Sequence, residues 1–153
     1  GTAALVAGGL VAAVSFGLPW LSARYQLQAV ATWPTDPSRA VALARRAGSV
    51  DPVADDPHVL AGAMQSRLRN FPAMRDEFEA ALERNPHNWY AELELGVAQS
   101  ALGDREAART HLLRAQALNP REPIVRHTLA LIESGRPVEP ASIDRAVAAS
   151  SPT

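Results

Sequence analysis

Three prolines at a fixed interval constrain this chain more than any other feature. Pro52, Pro86 and Pro120 stand 34 residues apart, and Ala47, Ala81 and Ala115 keep the same interval, each five residues before its proline. Gly62 and Gly96 form another column with Ala130 in the next register, Leu68 pairs with Leu102, and Ala40, Met74 and Ala108 line up as small or flexible residues. Such self-similarity means a stack of supersecondary units, each too small to bury its own apolar face alone.

Each period has room for two helices. In DREAARTHLLRAQALNP, Asp104 caps a run in which Ala108, Leu112, Ala115 and Leu118 recur at steps of three and four, and Asn119 with Pro120 ends it. NWYAELELGVAQSAL repeats the pattern, with Asn88 as cap, Leu95, Ala98 and Leu102 on one face, and Gly96 where a partner helix must come close. Asp56 with Pro57 opens an earlier pair, after DPSRAVALARRAGSVDP, and Glu122 with Pro123 opens a last single helix. The apolar residues are mostly Ala, Leu and Val with only 5% aromatics, which suits close-packed helices better than strands. The predicted class is all-α.

These columns resemble the tetratricopeptide repeat, a helix-turn-helix unit that stacks into a superhelix with a concave face. The resemblance covers about 37–134, with Gly96, Gly103, Ala108, Ala115 and Pro120 at the family's spacing. Three positions depart from it: Arg69 and Asn70 replace the Gly103–Asp104 turn, Met74 replaces a small residue, and Gln28 stands where Gly62 and Gly96 predict one. The resemblance implies that the first helix of each pair lines the groove. Val59, Ala63, Ser66 and Arg67 are then expected there in one unit, Tyr90, Leu93, Val97 and Ser100 in the next, and Ile124, His127 and Leu131 in the last. Val59, Ala63, Leu93 and Val97 occupy the places where some members carry basic and Asn side chains that clamp a peptide carboxylate, which argues against a receptor for chaperone tails. An apolar groove with Arg67 and Tyr90 as polar handles suits a helix or an extended protein segment; packing against its own protein is the other reading.

From Thr2 to Ala23 no residue is charged. A helix of that length rises about 33 Å, enough for a bilayer core of about 30 Å, so residues 1–23 are expected to form a transmembrane helix. Gly8, Gly9 and Gly17 are common in such helices, Trp20 and Tyr25 sit at interfacial depth, and Arg24 is the first charge. A cleaved signal peptide and a buried soluble helix compete with this reading; the first would lack its basic n-region. Counting back one period places the first solenoid helix at 22–33, continuous with the span. The expected organisation is therefore a span at 1–23, a solenoid of about three helical pairs at 24–136, and a tail at 137–153 with a short capping helix over Ile143 and Val147. Because the chain starts inside the apolar run with no Met, a longer parent is expected, with this span as its last.

Catalytic signals are absent from the pattern. Glu92 and Glu94 lie about 200° apart around a helix and are expected to face different ways, with Glu94 a surface residue. Trp89 and Tyr90 read as packing wedges. His58, His87, His111 and His127 have no metal-ligand spacing and are expected to be solvated, and Asp55 and Asp56 read as helix caps. No cofactor or metal site is expected, and the absence of Cys removes disulfides and thiolate chemistry. Fifteen basic residues, all Arg, are scattered among sixteen acids, so there is no footprint for nucleic acid.

The stretches GLPWLSARY, NPHNWYAELELGVAQSALGD and ALNPREPIVRHTLALIESGRPV are similar to the carboxyl regions of actinobacterial O-antigen ligase or polymerase-like membrane proteins. That resemblance implies a bacterial plasma-membrane location, a role in cell-envelope glycan assembly, and contact with an upstream membrane core that carries the polyprenyl-linked chemistry. A stand-alone membrane-anchored adaptor for a protein partner is the alternative. Arg24, Arg39, Arg45 and Arg46 all follow the span, which puts the solenoid in the cytoplasm if the span is single and leaves its side open otherwise.

Overall fold

The chain folds as helices throughout the described part of the computed structural model, which covers residues 2–136, 138–140, 143 and 145, with side-chain surroundings from residue 17 onward. They are α1 (Thr2–Thr32), α2 (Pro37–Val50), α3 (Asp56–Arg67), α4 (Phe71–Arg84), α5 (Trp89–Ala101), α6 (Arg105–Leu118) and α7 (Pro123–Glu133). Their starts are set by side-chain caps. Asp36, Asn70, Asn88 and Asp104 each accept a hydrogen bond from the backbone N–H three residues on, satisfying one of the donors that a helix start leaves unpaired. A proline in the first turn, where no N–H is needed, opens α2, α3, α4 and α7. After α3 and α5 the chain reverses through a left-handed residue, Arg69 (φ 57°) and Gly103 (φ 89°). Leu68 and Leu102 are the C-caps before these turns and are exposed, so that column marks helix ends rather than core.

Every helix packs on the one before it and the one after it, and the short connections make neighbours antiparallel. α1 also touches α3, and α5 touches α7, which stacks the pairs into a solenoid. The glycine columns explain the close approach. A Cβ on Gly62 would sit 2.8 Å from the Phe78 ring, and one on Gly96 would sit 2.9 Å from Leu112 Cγ and 3.1 Å from the Ala108 carbonyl oxygen. Phe78 and Leu112 are themselves one period apart, so the same contact is built twice with different side chains. Two buried clusters result, one around Ala29, Ala40, Val41, Ala44, Ala61 and Met64, the other running from Met74 and Phe78 through α5 and α6 to Val125, Leu129, Val138 and Ile143.

The structure corrects the expected register of α1. Gln28 is exposed and its neighbour Ala29 is wholly buried. The connection at 33–36 is also one residue longer than those at 68–70 and 102–104. α1 runs unbroken through Pro19, joining the apolar stretch to the solenoid. Among the described residues no helix is long and apolar enough to cross a membrane. Most of the span expected at 1–23 falls on residues whose side chains lie outside that description, as does Val147 of the expected cap.

Candidate functional site: the concave groove

The candidate site is the groove face of α1, α3, α5 and α7. At its first end it is open and apolar. Leu27 and Val30 of α1 are 73% and 56% exposed, and Val30 and Trp33 line a cleft of about 240 Å³ with Leu60, Ala63, Met64 and Arg67 of α3. Ala23, Gln26, Leu27 and Val30 continue the groove along α1 toward Asp56 and Leu60. A run of exposed aliphatic side chains between two helices, with the Arg67 guanidinium at one end and the Asp56 carboxylate at the other, is a surface for apolar contact with charged ends.

The expected groove residues divide sharply. In α3, Val59 and Ala63 are half-buried and Arg67 is exposed, whereas Ser66 is buried. In α5, Tyr90 and Ser100 are half-buried, and Leu93 and Val97 are 0% exposed, so these two offer no surface to a partner in this state. In α7, His127 is exposed, and Ile124 and Leu131 are half-buried. Tyr90 meets the edge of Phe78 at 6.2 Å and Trp89 at 6.0 Å, which fits the wedge role. The sequence places Leu27 and Val30 in the first solenoid helix, at 22–33, but the expected groove residues are confined to α3, α5 and α7, so the contribution of α1 is new.

Beneath the groove lies a polar layer that includes two histidines expected in solvent, His58 and His111. His58 Nδ1 is 3.0 Å from Glu77 Oε2, and Arg45 Nε donates to Glu77 Oε1. His111 Nδ1 is 2.7 Å from Glu92 Oε2. An ionised carboxylate only accepts, so in both pairs the Nδ1 carries the proton. His58 and His111 are mostly buried rather than solvated, and both glutamates are buried. The pairs occupy the same two columns of the repeat with the residues exchanged: 58 and 92 are one period apart, and so are 77 and 111. Comparing columns for complementary residues was the signal that would have found them. Burial by itself pushes the Glu77 carboxyl up, but hydrogen bonds from His58 and Arg45 and their positive charge together outweigh it and hold the group below its ordinary value.

Two further expectations change. Asp55 sits at the N-cap of α3 but makes no side-chain cap bond; its Oδ2 accepts from Asn85 Nδ2 at 3.0 Å and Asn88 Nδ2 at 2.8 Å, tying the α4–α5 turn to α3. Glu94, expected on the surface, is 0% exposed. Among the described residues no cluster of His, Asp and Glu has the makings of a metal site. The arrangement is one of surfaces and packing pairs, suited to holding another chain.

The tetratricopeptide repeat family model matches residues 75–132, from within α4 to near the end of α7, and the helical solenoid is similar in fold to solved tetratricopeptide repeat structures. The first TPR of Spaghetti, solved bound to an HSP90 peptide, superposes with a TM-score of 0.71 at 17% identity, covering 76% of this chain and 93% of that one. MamA follows at 0.67 and 13% identity, covering 84% and 77%. The C-terminal TPR-containing domain of a Plasmodium falciparum FK506-binding protein gives 0.63 at 16%, covering 77% and 89%. At these identities the likeness is one of fold. No curated protein sequence matches the chain.

Proposed function

We propose that this chain is a protein-interaction module, tethered to the bacterial plasma membrane through the apolar half of α1, that holds a segment of another protein, or of its own membrane core, in the concave groove. The observation that carries the proposal is the open apolar groove of Leu27, Val30, Trp33, Leu60 and Ala63 with Arg67 at its end. Val59, Tyr90, Ser100 and His127 extend this surface along the solenoid. The Spaghetti domain, of the same fold, is bound to a peptide, which supports reading the groove as the working face. The tether rests on the uncharged stretch from Thr2 to Ala23 and on the continuity of α1.

Within that reading, the module is the carboxyl-terminal region of an O-antigen ligase or polymerase-like protein of cell-envelope glycan assembly. Support comes from the stretches around Gly17–Tyr25, Asn85–Asp104 and Ala117–Val138 that resemble that family. The chemistry would then reside upstream of this chain, and the solenoid would dock on the membrane core or an assembly subunit.

A photo-crosslinking residue at position 60, compared with one at exposed Leu113 of α6, tests the groove in native membranes. A discrete adduct at 60 that is absent at 113 and is lost in a Val30→Arg background is the expected result; equal labelling at both positions refutes the reading. Immunodetection of the native polypeptide tests the parent. A band several times the 16.3 kDa of this chain supports the ligase-like protein, and one near it supports a stand-alone anchored adaptor.

A further inference from the structure

The segment after α7 does not continue the repeat. In register with the left-handed residues Arg69 and Gly103 the sequence has a proline, Pro137, a residue type unsuited to a left-handed turn. α7 instead stops at Glu133 and reverses early, through Gly135 at φ 74°. Arg105 secures this early exit, donating to the Glu133 carbonyl oxygen at 2.6 Å. A regular second helix of the pair would have packed on α7 and stayed about two repeats from the α3–α4 turn. Glu139 is found beside that turn, its Oε2 4.0 Å from Arg69 Nη1.

Further contacts show where the segment lies. Glu139 and Pro140 share a cleft of about 170 Å³ with Ser66, Arg67, Arg69 and Phe71, and Ser66 and Arg67 are groove residues of α3. Val138 is 8% and Ile143 1% exposed, and both belong to the buried cluster that contains Leu93 and Val97 of α5. The groove face of α5 is shut where its register equivalents in α3 stay open. Arg69 itself holds a left-handed backbone, which is costly for a residue with a Cβ, while its guanidinium lies over Phe71 at 5.9 Å and reaches Glu139.

We infer that the α5 stretch of the groove is a binding site for a short segment with a carboxylate at Arg69 and an aliphatic residue about four positions on, and that this chain's own Val138, Glu139, Pro140 and Ile143 occupy it. The inference rests on the reading of the groove as the working face. A partner of the same acidic–Pro–aliphatic chemistry enters this stretch by displacing the internal segment, while the open end between α1 and α3 stays available throughout. The internal copy competes at the high effective concentration of a tethered ligand, so the site is closed until the segment is drawn away.

The test uses the whole chain and a fluorescein-labelled peptide of residues 136–149, with binding read by anisotropy. Ile143→Asp should bind the peptide at least about tenfold more tightly than the parent chain, because the internal copy no longer competes; a peptide carrying the same substitution should bind neither. Equal affinity for both chains, or no binding to an Ile143→Asp chain that keeps its helical circular dichroism, overturns the inference. Should that variant lose its helix, Glu139→Arg decides, since the pair it breaks is exposed and Arg69 stays in place for the peptide's carboxylate. It should admit the peptide about twofold more readily than the parent, and adding Arg69→Glu, which restores the internal pair in reverse and repels the peptide's carboxylate, should close the site again; no change in either chain overturns the inference. Crosslinking at position 60 reports the open end separately, so a failed peptide experiment leaves that result standing.

Discussion

α3 and α5 present the same columns of the repeat to the groove with opposite outcomes. Val59, Leu60 and Ala63 are half-exposed, whereas Leu93, Glu94 and Val97, each one period later, are fully buried. Intrinsic helix properties do not account for this, since the two helices have the same length to within a residue and the same C-terminal turn. The difference comes from neighbours. α3 faces the exposed edge of α1, and α5 faces α7 and shares a core with Val138 and Ile143. A repeat therefore fixes which side chains point inward, and the non-repeating ends fix which of them meet water.

The comparison is broken most severely at Leu93. Leu93→Ala should destabilise the chain by about 3 kcal/mol, the range for emptying a closed core site, while Val59→Ala at the equivalent position should cost about 1 kcal/mol or less; urea denaturation compares them, and equal losses would mean that the two faces are alike after all. Glu94→Ala comes next, at about 1–3 kcal/mol for disturbing a buried polar group, against less than about 1 kcal/mol for Leu60→Ala. A loss at Glu94 no larger than that of a surface change would contradict its burial.

The exchanged pairs offer a finer test. Glu92→His and His111→Glu should each cost about 1–2 kcal/mol, and the double variant should recover at least about 1 kcal/mol of their sum, because the equivalent columns at 58 and 77 already hold the reversed arrangement. Additive losses would show that the orientation matters. At the 58–77 pair, Arg45 also bonds Glu77, so the same exchange should not be tolerated.

Glu77 gives the smallest, pH-dependent effect. Its carboxyl is held below the ordinary value in the folded chain, so its contribution is complete above the unfolded carboxylate value of about 4.3 and is lost as pH falls through the lower folded value. The stability difference between the parent chain and Glu77→Gln should therefore be constant near neutrality and narrow below about pH 4. A difference that widens with acid would reverse the assigned sign.

Much of this architecture is legible along the chain because its causes are local or periodic. Asn88 and Asp104 cap the helices that follow them by reaching the third N–H on, and Gly62 and Gly96 mark the closest helix approaches because a Cβ has no room there. The candidate site was legible only as a set of positions. Val59, Ala63 and Arg67 lie on the accessible groove face, but Leu93 and Val97, assigned by the same spacing, are sealed. Glu94, His58 and His111 are expected in solvent from the sequence because charged and titratable side chains usually lie there. Their burial depends on partners nineteen residues away for the two His–Glu pairs, and no period within a single helix reveals such partners.

The sequence by itself determined the repeat: where each helix begins, where it turns, and which columns must stay small, since capping, proline geometry and helix periodicity act over a few residues. Tertiary structure alone decided that half of the groove is open and half is closed. That outcome depends on where the chain goes after Gly135, and burial is set by whatever comes to rest on a surface rather than by the residues that form it.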